Sequence, residues 1–396
     1  MSEDQARKTF RGVVLSGGGA RGAYGAGVLV GLREFERLKE TDKDVTHFYV
    51  GSSVGALNAT LAAQGQLDRL VAVYKTKTKR DIIGSDTSEI SGTKIWWKSN
   101  DAPFSYFSNA GLRKLINENV DWELLKSHLL ITATHYETGE LATFFRSDLV
   151  SGFVEIDSKE VIDRRRLKHY REIKNREGLV EALLGSCSIP FFFPPVLIED
   201  SHYVDGGVGN NTPTRQAAYF LRFLEQEGLG VCDFIVCVAQ DPVSFTLPSE
   251  HEMTMSNVLL RTIDIFQHEL TDRMLEGWER INHEVRRANE REKALTDYVK
   301  SAAGISTECR EELLKRIEGL FHLTTAVTRR RETPLLQVRP STPLNVERAL
   351  DFDPHMAPEI IRRGYEDFLG VLEQKGIVRQ SERKHLSDIP RNQLGF

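Results

Sequence analysis

Residues 49–59 read YVGSSVGALNA and set two serines between glycines, where an apolar run gives way to a helical pattern. Ser53 stands at the centre of the frame Gly51-Ser52-Ser53-Val54-Gly55, the G-x-S-x-G spelling of a serine held on a sharp strand-to-helix turn. Ser52 is off the centre of that frame and is expected to be structural. A hydroxyl is a poor nucleophile until a neighbouring group takes its proton, so the chain must also offer a base. A Ser-His-acid triad in the order of the α/β-hydrolases requires a late histidine, and His268, His283, His322 and His355 all lie in helical or charged text without a loop signature. Asp205 is the better candidate. It falls within HYVDGGVGNNTP, residues 202–213, after a short apolar run and before Gly206 and Gly207, so its carboxylate projects from a strand end where backbone can approach closely. The same spelling also describes an ordinary Asp-Gly turn.

A second chemical segment is GGGARG, comprising Gly17, Gly18, Gly19, Ala20, Arg21 and Gly22. Gly17, Gly19 and Gly22 satisfy G-x-G-x-x-G after a strand and before a helix, the fingerprint of a dinucleotide site. That use needs a carboxylate at the end of the next strand, which here ends Tyr49-Val50-Gly51 and delivers the serine turn instead. No nucleotide cofactor is therefore expected. The alternative applies the same physics to another anion: consecutive glycines aim N–H groups into one small volume, and the following helix N-terminus adds positive potential that suits the oxyanion of a tetrahedral intermediate. Arg21 either braces this loop or adds charge to it; the plainer reading is a surface arginine capping neighbouring carbonyls.

These turns need strands before them and helices behind them. Residues 11–16 and 47–50 are apolar runs, each followed by its glycine turn and a helical pattern, the second helix covering 54–63 with Gly65 just past its end. Residues 129–137 and 141–146 read as strands around a Glu-Thr-Gly turn, 233–240 as a further buried strand, and 335–340 as a short returning one. Strands alternating with helices predict an α/β sheet covered on both faces. From about residue 250 the texture becomes charged and helical: residues 255–293 carry Val258, Ile265, Leu275, Trp278, Ile281 and Val285 at helical spacing, which predicts a helical layer on the sheet, and 358–373 predict a closing helix. Residues 242–252 are the one weak linker candidate.

The chain has 396 residues, 40% hydrophobic and 28% charged, the composition of a globular protein with a sizeable core. Its 52 basic and 57 acidic side chains give a net charge of -5, which removes the simplest electrostatic case for binding nucleic acid. Arg164–166 and Arg329–331 are basic runs that fit solvated faces or contact with an anionic lipid or partner. Cys187, Cys232, Cys237 and Cys309 show neither disulfide nor zinc spacing, and Asp351-Phe352-Asp353 lacks the rest of a calcium loop, so no metal is expected. The start, MSEDQARKTFRG, lacks the apolar run of a secretory signal, and no stretch is long enough for a spanning helix. The expected location is cytoplasmic or on a membrane surface, although export without a cleavable signal leaves no trace in such a reading.

Taken together, GGGARG (17–22), GSSVG (51–55), GSCSIPFFFPPV (185–196) and DGGVGNNTP (205–213) resemble, in order, the motif blocks of the patatin-like phospholipase family. RRGYEDFLGVLE (362–373) is similar to the terminal segment of its bacterial-type members; Gly185 and Gly209 depart from the usual residues without touching the proposed chemistry. The resemblance implies a three-layer α/β/α sandwich with a mainly parallel central sheet and a C-terminal, mostly helical layer, with the catalytic core in residues 10–215 and its continuation in 216–390. It implies a Ser-Asp dyad of Ser53 and Asp205, Gly51 and Gly55 framing the elbow, and N–H groups of the 17–22 loop, chiefly Gly18, Gly19 and Ala20, holding the oxyanion with Arg21 in support. The substrate implied is a phospholipid or other acyl lipid, met by peripheral membrane contact, without cofactor and with an unspecified activating protein in some members. Trp96, Trp97, Phe104, Tyr106 and Phe107 suit an interfacial loop or core aromatics, and Phe191, Phe192 and Phe193 an acyl pocket or the core. The alternative function is a catalytically silent lipid-binding protein with the same fold.

Overall fold

The computed structural model describes residues 8–39, 45–83, 105, 107–147, 170–241, 255–324, 332–344, 346 and 350–396. The basic runs 164–166 and 329–331, the linker 242–252, and Trp96, Trp97, Phe104 and Tyr106 lie outside them. The core is one sheet built from β1 (Lys8–Leu15), β2 (Val45–Ser52), β3 (His128–His135), β4 (Leu141–Arg146), β5 (Tyr170–Glu172), β6 (Val196–Ile198), β7 (Ser201–Val204), β8 (Gly230–Val238) and β9 (Leu335–Val338). Its order is β5-β4-β3-β2-β1-β8-β9. From β3 to β9 all neighbours are parallel, and β4 turns back antiparallel on β3 through the Glu-Thr-Gly turn, where Gly139 has φ 70°.

The apolar runs are continuous because both faces are covered. Along β1, Val13 and Leu15 enter one core, while Phe10 and Val14 enter the other, the alternation that a pleated strand dictates. The first core packs under α1 (Gly22–Lys39), α2 (Val54–Ala63), α3 (Leu67–Thr76) and α4 (Ala110–Asn119), with α5 (Arg176–Cys187) beyond. The second lies under α6 (Thr214–Gln226), through Phe220 and Leu224, and α7 (Met255–Ser301), through Leu275. This is the expected three-layer arrangement with a helical C-terminal region.

After α8 (Thr307–Thr324), α9 (Ala357–Gln374) returns to cross α1 backbone to backbone: a Cβ on Gly27 would lie 1.9 Å from the Ile361 carbonyl oxygen, so only glycine permits the crossing. The helical layer differs from the sequence expectation in one respect. At 47 residues α7 is about 70 Å long, far more than a strand of nine residues can cover. Leu275, Trp278 and Val285 are wholly or partly buried, but Val258, Ile265 and Ile281, expected on the same apolar stripe, are exposed. Among the described residues no helix is long and apolar enough to cross a membrane.

Candidate active site

The register of β3 brings the two candidate catalytic residues together. β2 runs parallel beside β3 until Ser52 faces Thr132 and then stops. β7 then pairs antiparallel with β3, with Val204 opposite Thr134 and Tyr203 opposite His135. The residues that follow the two strand ends, Ser53 and Asp205, therefore meet. The Asp205 N–H donates to the Ser188 carbonyl at 2.9 Å, and the Thr134 hydroxyl donates to the Asp205 carbonyl at 2.9 Å, so β3 and the end of α5 fix the aspartate's backbone.

Ser53 occupies the sharp turn its frame requires, with φ 54° and ψ -132°, a conformation costly for a residue with a Cβ. The elbow is held from three sides. A Cβ on Gly55 would stand 2.3 Å from the Leu15 carbonyl oxygen, and one on Gly51 would stand 2.4 Å from that of Gly55, so both glycines let α2 close onto the strands. The Ser53 N–H donates to the Ser186 hydroxyl at 2.9 Å, and that hydroxyl donates to the Thr132 carbonyl at 2.7 Å. The Ser53 hydroxyl donates to Asp205 Oδ2 at 2.6 Å. Asp205 Oδ1 accepts from the Gly207 N–H at 2.7 Å, which orients the carboxylate. Burial pushes the Asp205 carboxyl up to about 6 against the opposing pull of those two hydrogen bonds. Ser52 is fully buried, with its hydroxyl packed against Gly206.

The glycine loop lies alongside. The Gly17 N–H is used in a 3.1 Å bond to the Asn211 carbonyl, which ties the loop to the segment after Asp205, and a Cβ on Gly17 would lie 3.1 Å from Ser53 Cβ. The Arg21 N–H is likewise used, on the Gly18 carbonyl at 3.2 Å, and Gly22 opens α1. Among the described residues no acceptor is found for the N–H groups of Gly18, Gly19 and Ala20, and Gly19 has φ 57°, in the left-handed region. Arg21 is buried: its Nε donates to the Gly18 carbonyl at 3.2 Å and its Nη2 pairs with Asp264 of α7. Arg21 is therefore not on the surface, although it does cap the neighbouring Gly18 carbonyl.

Gly19 and Ser53 both line a narrow pocket with a cavity volume of about 70 Å³, whose lining is chiefly apolar: Leu57, Leu61, Leu112, Ile116, Phe193 and Phe352 among them. Of the phenylalanine run, Phe193 lines this pocket, Phe192 packs in the cluster beside it with Phe107, and Phe191 is exposed with φ 71°. Cys187 also lines it, but burial and the Asp205 charge push its thiol well above its ordinary range. Sequence reading missed Ser186, Thr134 and Asp264. Ionisable side chains at four-residue spacing in the first half of an amphipathic helix, Asp264, His268 and Asp272, were the available signal for the last.

A family model described as patatin-like phospholipase matches residues 13–218. A "cGAMP-activated phospholipase" from Pseudomonas aeruginosa is 25% identical over 209 residues, which are 52% of this chain and 54% of that protein; the chain thus spans about half the length of the relative it matches. Among solved structures, that of VipD from Legionella pneumophila aligns with 94% of this chain and 69% of its own, at 12% identity and a TM-score of 0.34.

Proposed function

Because the chain belongs to the patatin-like phospholipase family, we propose that it is a lipid acyl hydrolase in which Ser53 is the nucleophile and Asp205 the general base. The observation that carries this reading is the 2.6 Å hydrogen bond from the Ser53 hydroxyl to Asp205 Oδ2, at the head of an apolar pocket. A short bond to a carboxylate is charge-assisted and points the hydroxyl proton at its acceptor before substrate arrives.

In this mechanism the Ser53 oxygen attacks the ester carbonyl carbon as its proton passes to Asp205 Oδ2. The carbonyl oxygen becomes an oxyanion and receives the N–H groups of Gly18, Gly19 and Ala20, aided by the positive end of α2. Collapse of the intermediate breaks the carbon–oxygen bond to the alcohol, which takes the proton back from Asp205 and leaves an acyl group on Ser53. Water, deprotonated by Asp205, then attacks the acyl carbon, and the fatty acid leaves as Ser53 regains its proton. With a carboxyl near 6, Asp205 is ionised at neutral pH yet more basic than an exposed aspartate. The apolar walls receive the acyl chain, and the substrate is a phospholipid or related acyl ester met at a membrane surface.

The test is covalent labelling by a fluorophosphonate followed by mass spectrometry. Wild type is expected to be labelled on Ser53, and Ser53→Ala to be unlabelled; labelling elsewhere, or none on a folded wild type with or without added cGAMP, would overturn the assignment. The cGAMP arm is included because the relative from Pseudomonas aeruginosa is named for that activation.

A further inference from the structure

We infer that Asp264, on a helix beyond the family-matched segment, is a positioning residue for the oxyanion loop, acting through Arg21; the inference rests on the hydrolase reading above. Arg21 is 4% exposed and Asp264 6% exposed, and Arg21 Nη2 pairs with Asp264 Oδ1. The same guanidinium donates through Nε to the Gly18 carbonyl at 3.2 Å, and the backbone N–H of Arg21 donates to that carbonyl at 3.2 Å as well. Two donors from one residue thus pin the Gly18 carbonyl. The peptide joining Gly18 to Gly19 is planar and trans, so pinning its C=O one way aims its N–H the opposite way. That N–H belongs to Gly19, which lines the same pocket as Ser53 and has no acceptor among the described residues. A glycine peptide is otherwise free to rotate, since no Cβ restricts it.

A guanidinium this deeply buried needs a counter-charge to stay in place, and Asp264 provides it from α7. Two further residues of the same helix face reach the base's segment: Gln267 packs over Gly207, and Thr271 meets Asn211 and Thr212 by side-chain hydrogen bonds of 3.3 and 2.9 Å. α7 therefore closes the site from one side, touching the oxyanion loop through Asp264 and the Asp205 segment three and seven residues later. Asp264 touches no substrate atom; its effect passes through Arg21 and the Gly18 carbonyl.

The test compares the full chain as wild type, Asp264→Asn, Asp264→Glu and the double variant Arg21→Met/Asp264→Leu. The double variant leaves no unpaired buried charge and so keeps the fold where Asp264→Asn alone fails to do so. Three quantities are read: kcat and KM on a p-nitrophenyl acyl ester, affinity for a long-chain acyl trifluoromethyl ketone, whose adduct with the serine carries an oxyanion, and affinity for hexadecanol, a neutral ligand that forms none. Asp264→Asn and the double variant are expected to lose about tenfold to a hundredfold in kcat, with the same factor lost in ketone affinity and with KM and hexadecanol affinity unchanged within about twofold. Asp264→Glu recovers part of the loss. A folded double variant with wild-type kcat and ketone affinity overturns the inference and leaves the hydrolase reading standing, because the pair would then be structural only. A wild type that neither turns over the ester nor binds the ketone overturns both.

Discussion

Replacing Asp205 by asparagine should make the protein more stable as it removes the proposed base. The carboxyl is 1% exposed, and burial raises it from an ordinary 3.8 to about 6, so the anion is disfavoured in the folded state by about 3 kcal/mol. The sign follows from linkage. A folded-state value above the unfolded one means the folded protein holds the proton more tightly; the stability this contributes is full below about 3.8 and is lost as pH rises through about 6. At neutral pH wild type therefore carries an ionised, buried aspartate at that cost, whereas an asparagine is neutral throughout and keeps an oxygen for the Gly207 N–H. For a chain of 396 residues, 3 kcal/mol corresponds to a rise in Tm of about 3 to 4 °C. The assay is thermal denaturation of wild type and Asp205→Asn from pH 4 to pH 8. The two should melt together near pH 4, separate between about pH 4 and pH 6, and keep a constant gap above pH 7. A variant no more stable than wild type at pH 8, or a gap that does not change with pH, would refute the reasoning.

Other consequences of the geometry can be measured in parallel. The rate constant kcat/KM should fall about tenfold per pH unit below about 6 and level off above 7, because Asp205 must be ionised to accept the serine proton; a flat profile from pH 5 to pH 8 would contradict this. Ser53→Gly and Ser53→Ala should both be inactive, but the glycine variant should be the more stable by about 1 kcal/mol in urea denaturation, since it relieves the φ of 54°. Gly55→Ala should cost about 3 kcal/mol in the same denaturation assay and lower activity with it, because the new methyl would stand 2.3 Å from the Leu15 carbonyl and 2.4 Å from that of Ser16.

The strands and turns that carry the proposed site were legible because each is written locally. β1, β2, β3 and β8 are buried on both faces and so appear as apolar runs, and the two glycine turns announce themselves by residue type. The helix behind Ser53 was readable to the residue, from Val54 to Ala63. β5 and β6 were not readable: at three residues each, with most of their side chains exposed or intermediate, they give no periodic signal. β7 was legible only as the short run and strand end before Asp205, not in its pairing. Yet β7 decides the site, since it is its pairing with β3 beyond the end of β2 that sets Asp205 beside Ser53, and such a register is fixed by distant parts of the chain. The same limit applies to Asp264, whose partner Arg21 lies 243 residues away, and to α7, whose even apolar pattern does not tell which turns meet the sheet.

The central claim is that Ser53 and Asp205 act together on acyl esters, and fatty-acid release from mixed phospholipid vesicles tests it most directly. Wild type should release fatty acid, and folded Ser53→Ala and Asp205→Ala should each lose about a thousandfold or more of that rate. Release that survives Ser53→Ala, or that is untouched by Asp205→Ala, would contradict the dyad.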